Sequence, residues 1–426
     1  MNSKRTLLNI ALPAMVENLL QMLMGLVDSY LVSQISLIAV SGVSVANNII
    51  SIYQALFIAL GAAISSLIAK SRGEKNISKQ FYYQAQGLLV TIIISFILGI
   101  VTVFFGENLL ALFGMEKAVA DSGGLYLKIV GGLIVSLGLL TTLASFLRAQ
   151  GKTRLPMYVS LLINLVNALL SALAVFVFDW GIVGVAIATV LSRFIGIALL
   201  GSQLPVKKIL ENLTLSLDKN LLTLSLPAAG ERLMMRAGDV VIIAIVVQFG
   251  TETVAGNAIG ESLTQFNYMP GLGMATATVI LVAHYLGSGD YYELKKIVRE
   301  SYLISACLMI IVGLLTFLFG DYWTSFFTEN SGARQASHVV LFYSFIGGPA
   351  TAGTLIFTAV WQGLGNSKMP FYATSFGMWF VRVLLGYVLG VTLQLGLSGV
   401  WLATLVDNFF RWGFLYIKYM RVGKNF

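Results

Sequence analysis

"LPAMVENLLQ" (12–21) and "LPAAGERLMM" (226–235) both place Leu-Pro-Ala ahead of a glutamate and carry that glutamate into apolar sequence. The two stretches stand 214 positions apart in a chain of 426 residues. The offset persists along the chain. Pro13 pairs with Pro227, Glu17 with Glu231, and Gly42 with Gly256. "AKSRGEKN" from Ala69 pairs with "AHYLGSGD" from Ala283, and "RAQGKTRLPMY" from Arg148 with "QGLGNSKMPFY" from Gln362. "GIVGVAIATVLSRF" from Gly181 then matches "GLSGVWLATLVDNF" from Gly396, with the offset grown to 215. One unit is written twice. Its period is far too long for a solenoid array.

The chain is 57% hydrophobic and 11% charged, and its mean hydropathy is +0.85. Soluble domains carry about 25% charged residues. Polar surface is too scarce here to face water on all sides, so the solvent is largely lipid. The single cysteine, Cys307, lies in an apolar run and reads as a small hydrophobe, and one cysteine forms no internal disulfide. Two histidines make no metal cluster. No cofactor is expected. The segment after Lys4 and Arg5 is long and lacks a small-residue cleavage site, so no signal peptide is expected.

A membrane-crossing helix needs about 20 predominantly apolar residues. Twelve segments qualify: 7–32, 38–69, 83–106, 121–147, 155–178, 181–204, 221–249, 253–286, 296–320, 335–363, 369–391 and 396–417. Gly, Pro and charge punctuate them, as in "GSGDYYELKK" and "GNSKMP". The expected fold is an all-α integral membrane protein of twelve transmembrane helices in two pseudo-symmetric six-helix bundles. The expected domains are 1–204, a cytoplasmic linker at 205–220, and 221–426. Six spans per half is an even number, so both halves insert the same way up and form a parallel repeat. Pro270 and Pro349 predict kinks in spans 8 and 10.

Basic residues set the orientation. Nineteen of the 27 Lys and Arg fall on the face that holds both termini and the even-to-odd loops, against three on the other face and five inside spans. Both termini are therefore expected in the cytoplasm, with the chain a multi-pass protein of the inner (plasma) membrane. The same bias explains the net charge of +8 through anionic lipid, without nucleic acid.

At this point the chain resembles the multidrug and toxic compound extrusion (MATE) family. The resemblance rests on "LPAMVENLLQMLMGLVDSYLVSQIS" in span 1, the loop after span 2, the Gly-x-x-x-x-Pro loops after spans 4 and 10, and "GVAIAT" in span 6. It covers essentially the whole chain in register. It implies two V-arranged bundles, and export of organic cations or other amphipathic compounds against entry of protons or sodium.

Six acids lie inside spans: Glu17, Asp28, Glu231, Asp239, Glu261 and Asp407. Intramembrane charge is costly and marks a functional site by default. Glu17 and Asp28 are 11 residues apart, three helical turns, and share a face with Gln21 and Met24. No basic residue lies between them in span 1, so neither has a local partner. Desolvation disfavours the charged form of an unpaired carboxylate, which suits a proton carrier. On span 5, Asn164, Asn167 and Ser171 also share a face. The family resemblance implies that Asp28, Asn167, Ser171 and Thr189 surround the coupling ion. Ser171 departs from the family's aspartate and leaves more weight on Asp28. One carboxylate with neutral oxygens still suits sodium.

The second half differs. Ile242 stands at the position of Asp28. Glu231 and Asp239 on span 7 and Glu261 on span 8 are the second-half candidates. Arg236 is spaced to pair with Asp239, Glu261 has no evident partner, and Asp407, Arg411 and Arg382 read as a structural ion network. Gln21, Met24, Tyr53, Met234, Met235, Tyr268 and Met269 are candidate cavity residues for flat cations, although such residues at helical spacing also serve plain packing. No P-loop, zinc motif or nucleophile elbow is present, and an enzyme is not expected. A cation-coupled exporter working as a monomer on a small amphipathic or cationic substrate is the favoured reading. A flippase for lipid-linked saccharides, an unrelated twelve-span carrier and a non-transporting scaffold are the alternatives.

Overall fold

The computed structural model describes residues 3–111 and 117–423; Lys424 of the basic C-terminus lies outside them. Among the described residues every regular element is helical. The first half holds α1 (Ser3–Ser33), α2 (Leu37–Gly73), α3 (Ile77–Ala111), α4 (Lys117–Gly132), α5 (Val135–Ala149), α6 (Arg154–Phe176) and α7 (Gly181–Gly201). A short α8 (Val206–Glu211) leads to α9 (Lys219–Val247), α10 (Thr251–Ser288), α11 (Tyr291–Leu318), a short α12 (Gly320–Ser325), α13 (Ser331–Ile346) and α14 (Gly348–Gly363). The chain ends in α15 (Lys368–Phe376), a π-helical stretch π1 (Gly377–Leu384), one turn α16 (Leu385–Tyr387), a second stretch π2 (Val388–Thr392), and α17 (Gly396–Val422).

Eight of these elements are long and apolar enough to cross a membrane, and the bent pairs α4/α5 and α13/α14 bring the number to ten. The remaining two of the twelve expected spans are α9 and α17. Both are long, but charges in their middles (Glu231, Arg232, Arg236 and Asp239; Asp407 and Arg411) dilute their apolar character. The protein is a multi-pass membrane protein of twelve long helical segments. Several exceed the need: α10 has 38 residues, about 57 Å at 1.5 Å per residue.

The backbone records the duplication. Left-handed φ angles recur at Lys75 and Gly289, at Gly151 and Gly365, at Asp179 and Gln394, and at Gly181 and Gly396. The first two pairs keep the offset of 214 and the last two keep 215. The extra residue enters in span 11, which is where the π turns lie. A π turn absorbs one residue more than an α turn, and its counterpart α6 is regular. Helix starts repeat as well. The Asn76 carboxamide accepts from the Lys79 N–H at 2.9 Å, and Asp290 accepts from Glu293 N–H at 3.0 Å. Both are side-chain N-caps.

The bends also repeat. α4/α5 turns by 45° and α13/α14 by 59° at equivalent places. Pro349 opens α14, as expected for span 10. No proline marks the first bend, which follows the Gly131-Gly132 pair. α10 runs through Pro270 as one helix. Gly42 and Gly256 serve one role in the two halves. A Cβ on Gly42 would lie 2.6 Å from the Gly123 nitrogen, and one on Gly256 would meet the Ala333 carbonyl and the Ala336 methyl. Without a hydrophobic drive between helices in lipid, small residues permit this close approach.

The chain divides into two compact units, Val16–Ser225 and Met1–Met15 with Leu226–Phe426. Within Val16–Ser225, one apolar cluster gathers Leu60, Ile64, Phe146 and Leu147, and another gathers Val43, Ile50, Phe57 and Leu127. Buried hydroxyl pairs join neighbouring helices, as between Thr91 and Thr142 at 2.7 Å. The stretch 205–220 is anchored rather than free. Buried Gln86 of α3 donates to Thr214 and to the Ser216 carbonyl, and accepts from the Asp218 N–H at 3.0 Å. Leu221 and Leu224, the first turns of α9, pack in the same cluster as Leu60. The boundary between the units therefore falls inside α9 rather than in a loop. In the other unit, Ile245, Val246, Val340, Leu397 and Val400 form an apolar core.

Candidate functional site

Each unit places polar or charged side chains on the same three members of the repeat: its first, fifth and sixth spans. In Val16–Ser225 these are α1, α6 and α7. Asp28 of α1 accepts hydrogen bonds from the Asn167 Nδ2 of α6 at 3.2 and 3.4 Å. Ser171, one turn on, donates to the Asn167 Oδ1 at 3.4 Å. Ser171 thus fixes the carboxamide with its N–H pointing at Asp28. Thr189 of α7 is buried and donates to the Val185 carbonyl at 3.0 Å. Buried Tyr126 of α4 lies beside Thr189. Four expected coupling residues, Asp28, Asn167, Ser171 and Thr189, thus lie on adjoining helices, and two of them touch Asp28 or its partner directly. Asn164 on the same face buries an Nδ2 without a hydrogen-bond partner.

Two corrections follow for span 1. Glu17 is not unpaired. One guanidinium nitrogen of Arg148 bridges both its oxygens, at 2.8 and 3.1 Å, and the pair is largely buried. Arg148 reads as a loop residue, yet it sits in the last turn of α5. Helical side chains lean toward the N-terminus, so its guanidinium reaches back into the bundle. Asp28 also faces a cation, Arg193 of α7, although without a direct ion pair. Arg193 went unassigned because a lone basic residue in an apolar helix carries no pattern. Its one signal is its spacing, a single turn beyond Thr189.

In the other unit the equivalent spans are α9, the α15–π2 segment and α17. Asp407 is fully buried and accepts from Arg382 and Arg411, with Nε–O distances of 3.0 Å to each. Arg382 also reaches Asp239 at 3.7 Å, so it is Arg382 and not Arg236 that pairs with Asp239. The expected ion network is present, extended by Asp239. Arg411 further donates to Asn408 at 3.0 Å. Removing one member of so closed a network strands the others, which marks it as structural.

Glu231, the repeat partner of Glu17, has Gln362 where Glu17 has Arg148. It is 4% exposed, accepts from the Thr374 hydroxyl at 3.0 Å, and leaves Oε2 without a hydrogen bond. Glu261 is half-buried with the Asn257 carboxamide in reach, so it too has a neighbour. Asn257 in turn accepts from the Trp401 indole at 2.9 Å.

Of the candidate substrate residues, Gln21 is exposed and meets Gln54 at 3.5 Å, while Met24, Met234, Met235, Tyr268 and Met269 are half-buried. Tyr53 is not available. It is packed in the Val43–Phe57 core with its hydroxyl bonded to Thr102 at 3.0 Å. It lies on the stripe Ala46, Ile49, Ile50 and Phe57, the packing face of α2. A concavity of about 460 Å³ on α9, π1 and α16, lined by Val241, Ile245, Trp379 and Tyr387 among others, includes none of these residues.

The chain is similar to the "Probable multidrug resistance protein NorM" of Thermotoga maritima, 28% identical over 96% of this chain and 90% of the relative. It is also similar to the "Uncharacterized transporter YisQ" of Bacillus subtilis, 23% identical over 97% and 93%. Among solved structures, a multidrug resistance MATE family transporter in an outward-facing conformation superposes with a TM-score of 0.91 at 21% identity, covering 100% of this chain and 98% of the other. A MOP superfamily transporter from Pyrococcus furiosus superposes at 0.90 with 21% identity, covering 99% and 96%. These likenesses carry the fold. The MatE family model matches residues 13–173 and again 227–388, so its two matches open on the paired prolines Pro13 and Pro227. The chain belongs to the MatE family.

Proposed function

We propose that this protein is a secondary antiporter that exports organic cations or other amphipathic compounds in exchange for protons or sodium. It acts in the inner (plasma) membrane as a monomer with both termini cytoplasmic, and it uses no cofactor. The multidrug resistance relatives support the substrate class. The observation that carries the coupling site is Asp28: a carboxylate inside span 1, held by Asn167 but closed by no direct ion pair among the described residues. Asp407, by contrast, is tied to two arginines. A carboxylate that must load and release a small cation needs the first arrangement and not the second.

Asp28 is the loading group, Asn167 and Ser171 hold it, and Thr189 offers an oxygen beside it. Glu17, paired to Arg148, braces α1 against α5. Glu231 and Glu261 remain second-half candidates for cation or substrate contact, with Asp239 held by Arg382. Gln21, Met24, Met234, Met235, Tyr268 and Met269 contact substrate. The functional division follows the repeat, 1–204 and 221–426 joined by 205–220. The test is dye efflux from liposomes loaded with a fluorescent organic cation, under a proton gradient and a sodium gradient in turn. Wild type should respond to one gradient, and Asp28→Asn should keep its fold and lose the response. Equal efflux by both proteins would refute the site.

A further inference from the structure

We propose that Arg193 selects the coupling ion at Asp28: it is a tethered cation that keeps sodium out of the pocket and leaves the proton as the cation taken up. This rests on Asp28 as the coupling carboxylate, and it names what that reading leaves open. Arg193 lies well inside α7, one turn past Thr189 and on the same face. A guanidinium at that depth is costly and marks function by default. Yet Arg193 makes no direct ion pair among the described residues, and its Nη1 is buried without a hydrogen-bond partner. It is a spare charge.

The charged and titratable groups that face Asp28 are Arg193 from α7 and Tyr126 from α4. A sodium site requires acceptor oxygens converging on one point. This pocket has hydroxyl oxygens at Ser171 and Thr189, but it sets an amide donor and a fixed cation against the one carboxylate. The Asn167 Nδ2 points at both Asp28 oxygens, its Oδ1 is taken by Ser171, and the guanidinium contributes only N–H groups. Sodium would need the carboxylate lone pairs that these donors address, and it would stay a full positive charge beside another. A proton needs one lone pair, forms a covalent O–H, and converts the carboxylate to a neutral group.

The repeat supplies a comparison. Asp239 of α9 is also faced by a guanidinium, Arg382, and there the pair is closed at 3.7 Å. Asn408 stands at the position of Arg193 and is bonded to Arg411. Asp28 and Asp239 each face an arginine, but only the one at Asp28 makes no direct ion pair.

The test measures binding of radioactive 22Na+ to the purified full-length protein, so it does not depend on export. Wild type and Arg193→Lys should bind no sodium through Asp28. Arg193→Met should bind sodium at least about tenfold more tightly, through relief of like-charge repulsion. The double variant Arg193→Met/Asp28→Asn should lose that gain. Thermal melting confirms that each variant is folded. Sodium binding by wild type that Asp28→Asn abolishes would overturn the proposal, as would a folded Arg193→Met that still excludes sodium. If proton-driven efflux survives Asp28→Asn, the coupling-site reading falls and this selectivity role with it, even where Arg193→Met binds sodium.

Discussion

Replacing Asp407 with asparagine separates a structural network from a working site. Asp407 is 0% exposed and receives four guanidinium contacts: Arg382 Nε and Nη2 at 3.0 Å each, Arg411 Nε at 3.0 Å and Arg411 Nη2 at 2.9 Å. The side chains of Arg382 and Arg411 are 12% and 4% exposed, so water cannot replace the lost partner. Arg382 keeps only Asp239 at 3.7 Å, and Arg411 keeps only Asn408. Breaking a buried ion pair by removing one partner costs about 3–5 kcal/mol. For a unit of this size each kcal/mol lowers the melting temperature by about 2–4 °C, which gives a fall on the order of 10 °C. The assay is thermal unfolding of detergent-solubilised protein beside dye efflux. Asp407→Asn should melt well below wild type, with efflux per folded molecule retained. A second variant, Asp239→Asn/Arg382→Met/Asp407→Leu/Arg411→Leu, should recover most of the loss, since replacing a whole buried network by uncharged groups is often neutral. An Asp407→Asn protein that melts with wild type but has lost efflux would refute the argument and make Asp407 a transport group.

Arg148→Met should lower stability by about 1.5–3 kcal/mol, the worth of hydrogen bonds to a charged group, because Glu17 is left buried alone. Arg148→Met/Glu17→Leu should restore more than half of it in the same melting assay. Gly256→Val should cost about 1–3 kcal/mol through overpacking against Ala333 and Ala336, whereas Gly413→Ala, with open space at its Cβ, should leave the melting point unchanged. Asn167→Ala should lower efflux more than stability, because it frees a carboxylate rather than stranding one; a melting loss above about 3 kcal/mol would place Asn167 in the packing instead.

How much of this was legible depends on what sequence spacing records. Hydrophobic runs record length, so all twelve segments lie within a few residues of their expected limits. The repeat records topology, and its slip from 214 to 215 falls between the matched stretches that end at Tyr372 and begin at Gly396, the interval in which the π turns lie. Spacing along one helix says which residues share a face, and it put Asn167 beside Ser171 correctly. It says nothing about what the face meets. Glu17 looked alone because its partner is 131 residues away, and Tyr53 looked available because an aromatic stripe reads alike in a core and a cavity. The bend between α4 and α5 was missed because proline is a louder signal than a glycine pair.

The two halves differ in how their buried charge is arranged. Both copies carry a glutamate in span 1, and both put polar groups on their first, fifth and sixth spans. In the second copy the charges close on one another: Asp407 and Arg411 stand where the first copy has Ser192 and Gly196, and Arg382 adds a second arginine from the fifth span. A closed network holds one geometry and has nothing to release. The first copy kept amides and hydroxyls around one acid, with its arginine held back from contact. A group that must change protonation during each cycle needs partners whose loss it can survive. Neutral donors at 3.2–3.4 Å meet that condition, and ion pairs near 3.0 Å in a fully buried site do not. The two clusters therefore differ in kind: the second is built to hold its unit together, and the first has the arrangement that the proposed coupling role requires.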